Sequence, residues 1–110
     1  IFSHPSIWPE TSCISAIESM AAGCEVVTTN LGALYETCSP FATFVNFDRN
    51  FDNLEKRYNK VLLNSIKNYW SDKNQNKLKL QGEKINATYS WDKRSFEWKN
   101  FFNKARKLKI

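Results

Sequence analysis

The apolar residues change their period near Asp48, so the chain must join two differently built halves. Upstream, they fall into short β-branched or alternating runs cut by Gly, Pro and Asn. Ile1–Ser6 opens on apolar residues and reads as a strand, Glu25–Thr29 is β-branched and stops at Asn30, and Ala42–Phe47 alternates after Pro40. Between the first two, Thr11–Ala22 places Ile14, Ile17 and Ala21 at helical spacing, with Thr11 or Ser12 as N-cap and Gly23 as stop. Strand, helix, strand, loop, strand predicts a short parallel sheet flanked by helices over residues 1–48. From 49 to 110 the pattern is helical. Asp52 and Glu55 resemble a capping box opening a long helix with the stripe Leu54, Tyr58, Val61, Leu62, Ile66, Tyr69 and Trp70. A weaker helix spans 74–87 through Leu78 and Ile85, and a third follows Ser90 with Trp91, Trp98, Phe102, Ala105 and Leu108 on one face, expected to be core.

Charge divides at the same place. Ile1–Asp48 has no Lys or Arg and five acids (Glu10, Glu18, Glu25, Glu36, Asp48), whereas the remainder holds all 16 basic residues against six acids, a balance of +10. Such asymmetry marks some nucleic-acid or membrane-surface modules. Here the Lys residues are scattered through amphipathic patterns beside Asn, which reads as a solvated helix face. With 42% apolar and 15% aromatic residues the chain is expected to fold rather than stay disordered. A length of 110 residues allows one domain, 1–110, and is short for a complete two-substrate enzyme, so it reads as part of a larger chain. No run approaches the roughly 20 apolar residues of a membrane span and no secretory leader is evident, which predicts a cytoplasmic protein, peripheral at the membrane at most. Cys13, Cys24 and Cys38 form an odd set without C-x-x-C spacing, and His4 stands apart from them; reduced thiols are expected, with neither a disulfide framework nor a zinc site. Asn86-Ala87-Thr88 matches a glycosylation acceptor and reads as a chance match.

Chemistry concentrates between Pro9 and Glu36. Glu10 precedes the first helix and Glu18 follows eight residues later. Free amides at a helix start, here from Thr11, Ser12, Cys13 and Ile14, together with the positive end of the helix dipole, can receive a phosphate or a polar sugar edge. Glu18 shares the side of Ile14, four residues away, and is expected near the buried, sheet-facing boundary, where a ribose diol would satisfy its carboxylate. From spacing alone, Glu10 could equally be a loop acid and Glu18 a solvated helix residue. Cys13 reads as a small packed thiol rather than a nucleophile, and His4 as a surface or packing residue.

The run PSIWPETSCISAIESMAAGCEVVTTNLGALYET, Pro5 to Thr37, resembles the donor-site segment of group 1, retaining, nucleotide-sugar glycosyltransferases of the GT-B fold. The resemblance rests on the E-x7-E pair Glu10 and Glu18, on Ala21-Ala22-Gly23, on Val26-Val27-Thr28, and on Gly32 with Glu36, all in the family's order. Tyr89-Ser90-Trp91-Asp92 resembles the segment before the family's C-terminal crossover helix. The resemblance implies a partial Rossmann-like C-terminal domain in which Glu10 and the amides of Thr11–Ile14 hold the donor sugar and its phosphate, Glu18 holds the ribose, and Gly32 and Glu36 shape the loop after the second strand. Glu10 is the one candidate for a catalytic role. The resemblance also implies retaining transfer of a hexose-type sugar, no cofactor, no obligatory metal, and a missing N-terminal domain that supplies the acceptor site, so the chain alone would be inactive. It departs from the family where Thr11-Ser12-Cys13 replaces a Gly-rich G-F-G turn, so side chains stand where glycines would let the backbone approach the sugar closely. A truncated sheet would expose an edge and favour self-association. Two other functions are open: a nucleic-acid or membrane-surface module using Trp91, Trp98, Phe101 and Phe102 with the basic half, nucleic acid being the less expected partner, and a non-catalytic scaffold.

Overall fold

The computed structural model describes residues 1–108, so the last two residues of the basic segment lie outside the description. The described elements are β1 (Phe2–His4), α1 (Ile14–Ala21), β2 (Val26–Thr29), α2 (Leu34–Cys38), β3 (Thr43–Val45), α3 (Phe51–Asn68), α4 (Asp72–Tyr89) and α5 (Trp91–Lys107). The three strands form one parallel sheet in the order β1-β2-β3. Its register pairs His4 with Thr28 and Thr29 with Val45. The sheet is therefore the expected α/β arrangement, with one addition: the stretch expected as loop between β2 and β3 contains α2, whose five residues are too few to show a period.

The central strand organises the core. All four residues of β2 are buried, as its unbroken β-branched run anticipates for a strand covered on both faces. Alternation sends Val26 to one face, with Cys13, Ala16, Met20, Leu34, Cys38, Phe41 and Ile85, and Val27 to the other, with Val45, Leu54 and Tyr58. Helices α1, α2 and α4 thus cover one face and α3 the other. Tyr58 reaches through its layer, its hydroxyl donating to the Val27 carbonyl at 2.6 Å and lying 2.9 Å from Ser3 Oγ.

The phase of α1 differs from the expected stripe. Its buried residues are Ala16 and Met20, with Cys13 just before them, while Ile14 is 69% exposed and Ile17 and Ala21 pack only partly. Small Cys13 and Ala16 sit in the core beside the larger Met20, and Ile14 is left outside. Gly23 ends the helix as expected. At φ +81° it donates to the Met20 carbonyl, and Cys24 donates to Ser19, the paired bonds of a Schellman terminus.

The helical half packs less than its stripes suggest. The N-cap of α3 is Asn50, whose side chain accepts from the Asn53 amide, rather than an Asp52–Glu55 box. Leu54 and Tyr58 are buried and Val61 and Leu62 pack partly, but Ile66 and Trp70 are exposed. Strands of three or four residues extend about 10–13 Å, whereas an 18-residue helix extends about 27 Å, so the C-terminal half of α3 overhangs the sheet. Helix α4 packs across α1 through Leu78, Gln81 and Ile85. Gln81 is fully buried and its Nε2 donates to the Met20 and Cys24 carbonyls at 3.0 and 2.8 Å. Asn86 likewise donates to the Ala21 carbonyl, which gives that residue a structural task inside the acceptor-like triplet.

Helix α5 is capped by Ser90, whose hydroxyl accepts from the Lys93 amide. None of its described residues is buried, so the aromatic face expected to be core is a surface: Trp91 is 88% exposed, and in the open Trp98 stacks on Phe102 while Phe101 meets both edge-on. The radius of gyration of 17.2 Å exceeds the roughly 13 Å of a compact chain of this length because α5 projects from the rest. No described helix is long and apolar enough to cross a membrane.

Candidate functional site

The site is built where β1 and β2 end and α1 begins. Two hydroxyls of β2, both fully buried, direct the chain as it leaves β1: Thr28 donates to the His4 carbonyl at 2.9 Å and Thr29 to the Ser6 carbonyl at 2.7 Å. Buried hydroxyls need such partners, and here the partners are the backbone of the loop that carries the site. Ser6 folds back, its amide donating to the His4 carbonyl and its hydroxyl to the Trp8 carbonyl. Pro9 then delivers Glu10 to the rim.

Glu10 is fixed through both backbone and side chain. Its carbonyl accepts from the Ala33 amide at 2.8 Å, joining it to the loop after β2. Gly32 makes that approach possible: at φ +59°, a Cβ on it would lie 2.8 Å from the Glu10 nitrogen and oxygen and 2.9 Å from the Pro9 carbonyl carbon. The expected loop-shaping role of Gly32 thus has a definite contact. Glu36, expected to share that role, sits exposed in the first turn of α2.

The Glu10 carboxylate faces His4 and Cys13. His4 Nε2 lies 2.5 Å from Glu10 Oε1, with the more distant Ser6 hydroxyl at 3.4 Å. A carboxylate only accepts, so the shared proton is assigned to Nε2. Burial pushes the Glu10 carboxyl up, but the hydrogen bonds from His4, Cys13 and Ser6 outweigh it and hold the group below its ordinary 4.5. Desolvation, reinforced by the neighbouring Glu10 charge, raises the Cys13 thiol despite the opposing pull of the nearby Ser15 and Ala16 amides, and burial pushes Cys38 up to about 11. All three cysteines are free. A thiol held protonated in this way supports packing over nucleophilic chemistry.

His4 is the residue that sequence reasoning undervalued. It was expected on the surface or in packing, apart from the cysteines; the structure places Nε2 3.9 Å from Cys13 Sγ and stacks the ring on Phe2. A histidine at the last position of a strand, six residues before an acid, was the available signal.

Helix α1 begins later than expected, at Ile14, with Cys13 as N-cap. Thr11 and Ser12 are exposed loop residues rather than caps. The amides of Ala16 and Ile17 both return to the Cys13 carbonyl, which leaves the opening amides of Ile14 and Ser15 directed out of the helix end. Glu18 departs from its expected position. It lies with Ile14 on the exposed face of α1, because Cys13, Ala16 and Met20 occupy the buried one. The structure thus joins Glu10, Cys13 and Gly32 in one cluster and sets Glu18 and Glu36 on the surface around it.

A polar cluster at the carboxyl ends of parallel strands, beside a helix N-terminus, is where open α/β sheets receive ligands. The family model for glycosyl transferases group 1 matches residues 1–84. The chain belongs to that family. No curated protein and no solved structure matches the chain. For a group 1 glycosyl transferase the activity class is glycosyl transfer, with a nucleotide-sugar donor and an acceptor as its substrates in general. The matched residues contain the whole sheet and the Glu10 cluster and end within α4, whereas α5 lies beyond them.

Proposed function

We propose that this chain holds the nucleotide-sugar donor of a retaining, GT-B-type glycosyl transferase. Glu10 takes the sugar, the amides from Thr11 to Ile14 take the sugar edge and phosphate, and Glu18 takes the ribose. The observation that carries this reading is the preset Glu10 carboxylate at the sheet's C-terminal end, beside the opening of α1.

The chemistry follows from charge and geometry. An ionised carboxylate has about four acceptor directions, so contacts with His4, Ser6 and Cys13 leave capacity for sugar hydroxyls. His4 and Ala33 fix the side chain and main chain of Glu10 before the donor arrives, which lowers the ordering cost of binding. Glu18 on an outward face reaches a ribose diol without having been desolvated in the free protein. The leaving diphosphate meets the positive end of α1. Residues 1–48 contain no Lys or Arg, so neutralising the rest of that charge falls to basic groups outside this segment, and we assign them, with acceptor binding, to a second Rossmann-like domain. In this reading transfer of a hexose-type unit needs no cofactor and no obligatory metal.

Ligand-observed saturation-transfer NMR with UDP, GDP and ADP, free and as nucleotide sugars, tests the assignment. Ribose signals should lose transfer in Glu18→Ala, and sugar signals in Glu10→Gln. Transfer unchanged in both variants, or silence for every nucleotide from a folded sample, would overturn it.

A further inference from the structure

Cys13 occupies the N-cap of α1 without capping it. Ser, Thr, Asp and Asn dominate that position because their oxygens accept from the opening amides. The Cys13 side chain makes no cap hydrogen bond, and its sulfur turns instead to His4 Nε2 at 3.9 Å. With His4 Nε2 2.5 Å from Glu10 Oε1, the sulfur, imidazole nitrogen and carboxylate oxygen all lie within 4.8 Å of one another. Three residues from a strand end, a loop and a helix cap thus bring one donor atom each into a single cluster.

Ligand atoms about 2.0–2.3 Å from a tetrahedral zinc-type ion stand roughly 3.3–3.7 Å apart. The sulfur–nitrogen separation of 3.9 Å is already close to that value, and the 2.5 Å His4–Glu10 contact needs to open by about 1 Å. We propose that His4, Glu10 and Cys13 form a binding site for a borderline divalent cation of the zinc class. One thiolate, one imidazole and one carboxylate suit that class, whereas magnesium and calcium require oxygen sets. Three protein ligands leave a further position for water. The supports are in place: the Phe2 ring stacks on His4, and the Ala33 amide anchors Glu10. Access is from the rim, where the His4 and Glu10 side chains are 28% and 22% exposed above the buried Cys13.

Binding balances simply. The Cys13 thiol proton leaves to solvent, and neutral His4 moves its proton from Nε2 to Nδ1 so that the Nε2 lone pair reaches the ion. One proton is released per ion, so affinity rises with pH. The ion is no participant in transfer. Because it occupies Glu10 it excludes the donor, a consequence that rests on the donor-site reading; metal binding itself does not.

Cobalt(II) titrated into the reduced full chain tests the site through the near-ultraviolet sulfur-to-cobalt charge-transfer absorption. A one-to-one band is expected, lost in Cys13→Ser, retained in Cys24→Ser, and requiring at least about tenfold more metal in His4→Gln, the lower bound for removing even an outer-shell partner. Absence of a thiolate band from the folded wild type, or its persistence in Cys13→Ser, would overturn the proposal; if Cys13→Ser does not fold by circular dichroism, an unchanged titration of His4→Gln does the same. Nucleotide sugar should abolish the band. A band indifferent to a nucleotide sugar that binds would remove Glu10 from the donor site and leave the metal site standing.

Discussion

Replacing Gly32 by Ala separates two costs that are usually confounded. Gly23 and Gly32 both have positive φ, +81° and +59°, but a Cβ at Gly23 meets nothing within 4 Å while one at Gly32 meets the Pro9–Glu10 backbone at 2.8–2.9 Å. Gly23→Ala therefore carries only the left-handed strain, about 1–2 kcal/mol, partly offset by the 0.4–1 kcal/mol that Gly→Ala gains from restricting the unfolded chain. Gly32→Ala carries the same terms plus a backbone collision that no rotamer change relieves, comparable to the roughly 1–3 kcal/mol of overpacking. The difference between the variants should be about 2 kcal/mol, or roughly 8 °C or more in Tm for a domain of this size. Urea and thermal unfolding of both variants measure it. Because the collision is with Glu10 itself, Gly32→Ala should also weaken donor saturation transfer, whereas Gly23→Ala should leave it intact. Equal destabilisation of the two variants, or undisturbed donor binding in a folded Gly32→Ala, would refute the reasoning.

Gln81→Leu should destabilise the chain by about 1–3 kcal/mol despite its greater hydrophobicity, because the Met20 and Cys24 carbonyls both lose their Gln81 donor, which outweighs removal of the buried, unpartnered Gln81 Oε1; a Cm in urea equal to or above wild type would contradict this. The depressed Glu10 carboxyl sets a direction with pH: the unfolded chain binds its proton more tightly, so this group's stabilisation is complete above the ordinary 4.5 and is lost as pH falls through the lower folded value. Wild type should therefore lose its stability advantage over Glu10→Gln in acid, and a difference that stays flat from about pH 7 down to about pH 3 would exclude the His4–Glu10 contact as its source.

Element types were legible because their signals are local. The β-branched run of β2, the Gly23 stop and the Ser90 boundary each depend on a few adjacent residues, and each appears where the pattern puts it. The run from Pro5 to Thr37 likewise pointed to the family whose model matches residues 1–84. Local signals failed where length or phase mattered. Helix α2 is too short for a period, Asn50 caps α3 two residues ahead of the expected acid, and small Ala16, rather than Ile14, faces the sheet. The α5 stripe has the spacing of a core face, yet spacing says nothing about whether a partner surface is present, and the short sheet ends before reaching it.

By itself, then, the sequence determined that a β-rich half precedes a helical one, which residues turn the chain, and to which family the chain belongs. Only the tertiary structure decided which side chains share a site. His4, Glu10, Cys13 and Gly32 come from a strand end, two loops and a helix cap. They meet because the parallel register sets His4 beside Thr28, and the two buried threonine hydroxyls then fold the intervening loop over the strand ends. Spacing along the chain fixes neither relation, since both arise from packing between strands far apart in sequence.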